Sequence, residues 1–129
     1  MELVSDHMAG DLVTVAPDES LTAAAKRMAE RKVGAALLLE GDRVTGILTE
    51  RDVLRAVAAG GVESAHVAAW VTSHPETIEP GDSLDHAAVL MIHGGFRHLP
   101  VVDGGKAVGI LSIRDLVRVA LVDRAPRGA

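Results

Sequence analysis

The feature that most limits what this chain can fold into is an internal duplication. Shifted by 63 positions, the sequence superposes on itself without a gap from Thr14/Thr77 to Arg55/Arg118. Matched pairs include Pro17/Pro80, Ser20/Ser83, Leu21/Leu84, Ala24/Ala87, Met28/Met91, Gly46/Gly109, Leu48/Leu111 and Asp52/Asp115. Two copies are too few for a solenoid, so a closed pair about a pseudo-twofold axis is expected. Residues 1–61 form the first repeat, 62–124 the second, and 125–129 a frayed tail.

Each copy predicts the same order, β-α-β-β-α. In the first, Val13–Val15 is a short strand, Pro17 to Ser20 a turn ending in an N-cap, and Leu21, Ala24, Ala25 and Met28 one helix face at i, i+3, i+4 and i+7. Ala35–Leu39 reads as a buried strand, Gly41-Asp42 as a hairpin turn, and Arg43–Leu48 as the antiparallel return. A second helix starts near Glu50. The second copy repeats this with Thr77-Ile78, Ser83, His98–Val102, Gly104-Gly105, Ala107–Leu111 and a last helix from Leu116. Residues 62–71 are expected to carry a short connecting helix. Two small sheets packed face to face, with helices outside, make an α+β fold with grooves at the seam, where ligand sites commonly lie.

One phrase recurs at the end of each return strand: Gly46-Ile47-Leu48-Thr49-Glu50-Arg51-Asp52 and Gly109-Ile110-Leu111-Ser112-Ile113-Arg114-Asp115. Both read as a strand entering a helix, with the hydroxyl at the N-cap and the aspartate three positions on. Such a corner gathers free N–H groups, the positive end of a helix dipole, a hydroxyl and a carboxylate. Ribose and phosphate would suit it. Each phrase is also a capping box with Asp in place of Glu or Gln, and a single copy would need no ligand to explain it.

Composition excludes several classes. Net charge is −5, from 13 Lys+Arg against 18 Asp+Glu, and no basic stripe is available for a nucleic-acid backbone. There is no cysteine, hence no disulfide, thiolate zinc site or cysteine nucleophile. His86 and His93 are too far apart on one helix for joint ligation, and no metal site is expected. No nucleophile–base–orienter set is visible, so no catalysis is expected. No apolar run approaches the roughly 18 residues of a membrane span. Without a signal-like N-terminus, the expectation is a cytoplasmic protein.

With these residues in place, the sequence resembles a stand-alone bacterial-type protein of two CBS domains, a Bateman module, over nearly its whole length. Each half carries a lead-in (Val4 to Met8; Val67 to Val71, with Val in place of Met), a helix with the Ala-Ala-x-x-Met pattern, and the strand-to-helix phrase. The preceding strand matches best in the second half, as Phe96-Arg97-His98-Leu99-Pro100-Val101-Val102-Asp103. In the first half Val33-Gly34-Ala35-Ala36 lacks both the basic residue and the proline.

The resemblance implies a regulatory module, not an enzyme, binding AMP, ADP, ATP or S-adenosylmethionine. In such modules the motif aspartate accepts from ribose hydroxyls, and the motif Thr or Ser lies by the ribose or phosphate. This nominates Thr49 and Asp52 for one site, Ser112 and Asp115 for the other. Arg51 and Arg114 would assist with phosphate, although solvated or ion-paired helix side chains explain them as well. Across the pseudo-twofold axis, Arg97 and His98 would reach a phosphate whose ribose is held by Asp52, whereas their counterparts Gly34 and Ala35 offer no charge to a ligand at Asp115. The Asp52 cleft is therefore expected to be the better site. Trp70 is expected to fill a gap between repeats. Leu116, Val117, Val119, Ala120, Leu121 and Val122 leave the last helix little polar face, and Val53, Leu54, Val57 and Ala58 do the same in the first half. Homodimerisation through these helices is the economical expectation, and the resemblance implies it too. The alternative is an interaction scaffold with degenerate clefts.

Overall fold

The computed structural model describes residues 2–124, so the expected tail at 125–129 lies outside the described residues. The elements are β1 (Thr14–Val15), α1 (Leu21–Arg31), β2 (Ala35–Glu40), β3 (Arg43–Thr49), α2 (Glu50–Ala59), β4 (Thr72–Ser73), α3 (Leu84–Gly94), β5 (His98–Asp103), β6 (Lys106–Ser112) and α4 (Ile113–Arg124).

Helix starts are built as the spacing predicts. Ser20 accepts from the Ala23 N–H, and Ser83 from the His86 N–H. Leu21, Ala24 and Met28 then bury one face of α1, and Leu84, Ala87 and Met91 the same face of α3. Both helices end on a left-handed residue, Lys32 in the first copy and Gly95 in the second.

β1, β2, β3 and β4 form one sheet in that order, and β5 and β6 pair in the other. β2 and β3 are antiparallel with Ala35 opposite Thr49, and β5 and β6 match them with His98 opposite Ser112. Both hairpins slip register at the same place, between Leu38 and Leu39 and between Val101 and Val102. The second sheet has the same flanks reduced to single bridges, Ile78 to Val101 and Ala9 to Ile110. The expected Thr77-Ile78 strand is thus one bridge. In the first copy the Arg27 guanidinium holds the Thr14 carbonyl at 2.7 Å and Glu19 at 2.9 Å, whereas Leu90 at the matching position offers no such tie.

The connecting helix expected over 62–71 is replaced by two 3-10 turns, Val62–Ser64 and Val67–Ala69. Their side chains explain the shape. Val67 is fully buried in the core of the first copy with Leu21, Ala24, Met28 and Leu48, and Trp70 and Val71 pack beside it. Trp70 therefore belongs to that core. Conversely Val4 is fully buried among Leu84, Met91, Leu99 and Leu111 of the second copy, with Met8 alongside. The lead-ins are exchanged, each serving the copy it does not precede. Backbone bonds repeat the exchange in register: Val4 N–H to Asp82 O and Val67 N–H to Glu19 O, both 2.9 Å. Burying each valine contributes roughly 1.5–3 kcal/mol.

Between the sheets lies a third cluster, in which Ala35, Leu37 and Ile47 meet Ala107 and Ile110. This is the face-to-face packing that closes the pair. It leaves the helices outside.

Candidate functional site

Both strand-to-helix corners are complete capping boxes. The Thr49 N–H donates to Asp52 Oδ2 at 2.8 Å, its hydroxyl donates to the same oxygen at 3.0 Å, and the Asp52 N–H returns to Thr49 Oγ1 at 3.3 Å. At the second corner the matching distances are 2.8, 3.1 and 3.4 Å, between Ser112 and Asp115. The next N–H is also taken, Glu50 by the Gly34 carbonyl at 2.9 Å and Ile113 by the Arg97 carbonyl at 2.8 Å. Three of the four orphan donors of each helix are therefore satisfied within the protein. The cradle of free N–H groups expected for a phosphate is largely used up, and side chains must supply the rest.

Asp52 is only 3% exposed. Its Oδ2 belongs to the cap. Its Oδ1 faces the Arg55 Nη1 at 3.5 Å, a loose contact that leaves acceptor capacity for an incoming hydroxyl. Arg55 in turn lies 5.8 Å from the centre of the Trp70 ring. Asp115 repeats the ion pair with Arg118 at 3.3 Å.

What differs is the surroundings. A cleft of about 740 Å³ opens at the first corner, lined by Thr49, Arg51 and Asp52 from one copy and by Phe96, Arg97 and His98 from the other. That volume falls within the usual range for small-molecule sites. The five residues nominated for this side by sequence therefore share one cavity. Ser112, Arg114 and Asp115 do not line it. Residues that sequence reasoning missed are Ile47, Thr72 and Pro75 on the wall and Glu50, Arg55 and Glu76 at its charged edge. Arg55 carried a signal, standing three positions from Asp52 on one helix face. Glu76 carried none.

His98 is half-buried at the seam. Burial holds its imidazole below the usual histidine range; Glu50 and Asp115 oppose that shift, and Arg97 and Arg114 add to it. Near neutral pH it is a hydrogen-bonding group in the cleft wall and not a cation. Gly34 makes room for it: a Cβ there would sit 3.1 Å from His98 Cε1 and 3.1 Å from Glu50 Oε1.

Sequence and structure comparisons identify the family and the fold. The family model for the CBS domain matches residues 4–59 and 67–122, which together span most of the chain. The chain belongs to the CBS-domain family. The CBS domain-containing protein YhcV of Bacillus subtilis is 34% identical over 117 residues, 90% of this chain and 84% of that one. A CBS domain protein from Pyrobaculum aerophilum, solved in complex with AMP, is 31% identical with a TM-score of 0.84, covering 94% of this chain and 96% of its own. CBSX2, also solved in complex with AMP, is 27% identical with a TM-score of 0.84, over 97% of this chain and 100% of that one.

The two CBS repeats also expose apolar side chains on their outer helices. Leu54 and Val57 on α2, Val89 and Ile92 on α3, and Val117, Leu121 and Val122 on α4 are all at least half exposed. Among the described residues, no helix is long and apolar enough to cross a membrane, and no group of three His, Asp or Glu side chains could hold a metal ion.

Proposed function

We propose that this CBS pair is a regulatory sensor that holds an adenosine-containing ligand, of the class AMP, ADP, ATP or S-adenosylmethionine, with the Asp52 cleft its better site. The observation that carries this reading is the cleft's composition: the Thr49–Asp52 corner of one repeat and Arg97 of the other line a single cavity. A ribose hydroxyl donates to Asp52 Oδ1 alongside the loose Arg55 contact, which stays in place. Thr49 stays committed to the cap and holds that carboxylate in position. Arg51 and Arg97 face the phosphate from opposite repeats, and His98 adds a neutral hydrogen bond. Because the two repeats each contribute, ligand binding biases how they sit together, and that shift is the signal. AMP complexes in two relatives support the ligand class.

The Ser112–Asp115 corner, with Arg114, is assigned to a weaker second site, since Gly34 and Ala35 offer it no charge. Residues 1–61 and 62–124 are assigned to the two repeats. The apolar faces of α2 and α4 are assigned to a homodimer contact, and the setting to the cytoplasm. We assign no catalytic role and no nucleic-acid or membrane partner. The second reading is a scaffold that works through those helix faces alone, favoured by the fact that each motif aspartate already has an internal use as a cap.

A thermal-shift panel with AMP, ADP, ATP and S-adenosylmethionine separates the two. Binding to the native state at a hundredfold excess over Kd adds about 2.7 kcal/mol, a rise of several degrees in Tm. A flat panel would leave only the scaffold.

A further inference from the structure

We propose that the Asp52 cleft selects a nucleoside monophosphate over the corresponding di- and triphosphate. This rests on the reading of that cleft as an adenosyl-ligand site and concerns how many phosphates it accepts. Three arginines line it, but the charge of Arg55 is offset by the Asp52 carboxylate 3.5 Å away, and its guanidinium lies 5.8 Å from the centre of the Trp70 ring. Arg51 and Arg97 enter no ion pair among the described residues, and both are exposed. They supply two positive charges from opposite repeats, which matches the dianion of a phosphate monoester.

The same cavity is bordered by two carboxylates that are equally uncommitted. Glu50 opens α2, Glu76 follows Pro75, and neither enters an ion pair among the described residues. The uncommitted charge is therefore two positive against two negative. Burial keeps His98 from adding a third cation near neutral pH. One phosphate seated between the arginines satisfies both. Each further phosphate brings negative charge with no cation left to meet it, in a cavity already edged by Glu50 and Glu76. Like charges sharing one cavity repel. The acids act as a filter against longer phosphate chains, a repulsive element added to an attractive one.

Calorimetric titration of the full chain with adenosine, AMP, ADP and ATP, in buffer free of divalent cations, tests this. AMP binds tightest, and ATP at least about tenfold more weakly. Removing both acids with Glu50→Gln/Glu76→Gln narrows the gap between AMP and ATP, chiefly by improving ATP. Replacing Arg97 by Ala brings AMP down toward adenosine and leaves adenosine itself little changed. All of these side chains are exposed, and a urea midpoint confirms that each variant folds. ATP binding as tightly as AMP, or a gap that ignores the double substitution, overturns the filter while the adenosyl site stands. No binding of any of the four overturns the site and the filter together.

Discussion

The two strand-to-helix corners are alike in every bond that builds them and unlike in what stands opposite. Thr49–Asp52 and Ser112–Asp115 make the same three hydrogen bonds within about 0.1 Å of one another. Across the seam, one corner faces Arg97 and His98 in an open cleft, and the other has Gly34 and Ala35 as the matching residues. The lesson is that the repeated motif is first a folding device. It starts a helix in both copies, and the two corners differ in the unrepeated residues that face them.

The largest effect that tests this comparison lies in the exchanged lead-ins. A Cβ on Gly109 would meet Met8 Sδ at 2.7 Å and the Ala9 carbonyl at 2.9 Å, whereas one on Gly46 would meet the Thr72 carbonyl at 3.3 Å. Gly109→Ala should cost about 1–3 kcal/mol by overpacking against a backbone atom that cannot step aside. Gly46→Ala, whose tightest contact is 3.3 Å, should cost less than that. Urea midpoints of the two variants decide it. Equal costs would mean that the lead-ins sit alike on both sheets.

Next come the aspartates themselves. Asp52→Ala and Asp115→Ala each remove the acceptor of an N-cap N–H and a hydroxyl, and should lose similar stability, about 1–2 kcal/mol. Their effects on AMP should part: at least about tenfold weaker binding for Asp52→Ala, and little change for Asp115→Ala, since a hydrogen bond to a charged group is worth roughly 1.5–3 kcal/mol. Asp52→Asn keeps an oxygen for the cap and separates binding from folding. Equal losses of affinity at the two positions would abolish the asymmetry.

A smaller contrast sits at the ends of α1 and α3. Both stop on a left-handed residue, but Gly95 adopts φ 69° without penalty while Lys32 holds φ 58° against its Cβ. Lys32→Gly should stabilise the first copy by up to about 1 kcal/mol, read as a rise in Tm. Loss of stability instead would show that the Lys32 side chain contributes more than its backbone costs.

Much of this architecture was legible in the residues. The duplication placed the four α-helices and both hairpins, though not the 3-10 turns that stand where a connecting helix was expected, and Thr49-x-x-Asp52 with Ser112-x-x-Asp115 announced both caps. Symmetry alone also put Arg97 and His98 across from Asp52. Hidden from the sequence was the exchange of Val4 and Met8 for Val67 and Val71, because an apolar residue is marked for burial and not for a particular core. The spent N–H donors were hidden for a related reason: Gly34 and Arg97 use their carbonyls there, and every residue has one. Glu50 and Glu76 stayed out of view because periodicity says which face of its own element a residue takes, and nothing about what lies opposite.

The subtlest contrast is between His98 and Ala35, the paired residues that open β5 and β2. Burial depresses the His98 pKa in the folded protein, while Glu50 and Asp115 pull it back up and Arg97 and Arg114 push it further down. Since the folded value lies below the unfolded one of about 6.5, the unfolded chain binds more protons between the two. Stability from this group is therefore complete above pH 6.5 and declines as pH falls toward the folded value. His98→Gln, which cannot titrate, should narrow the loss of Tm seen when wild type is taken from about pH 8 to about pH 5.5. Subtracting the variant's profile from the wild type's removes the other five histidines from the comparison. A difference that stays flat would show that the seam treats this imidazole as water does, and one of opposite sign would mean that Glu50 and Asp115 outweigh burial and make His98 a cation at the edge of the cleft.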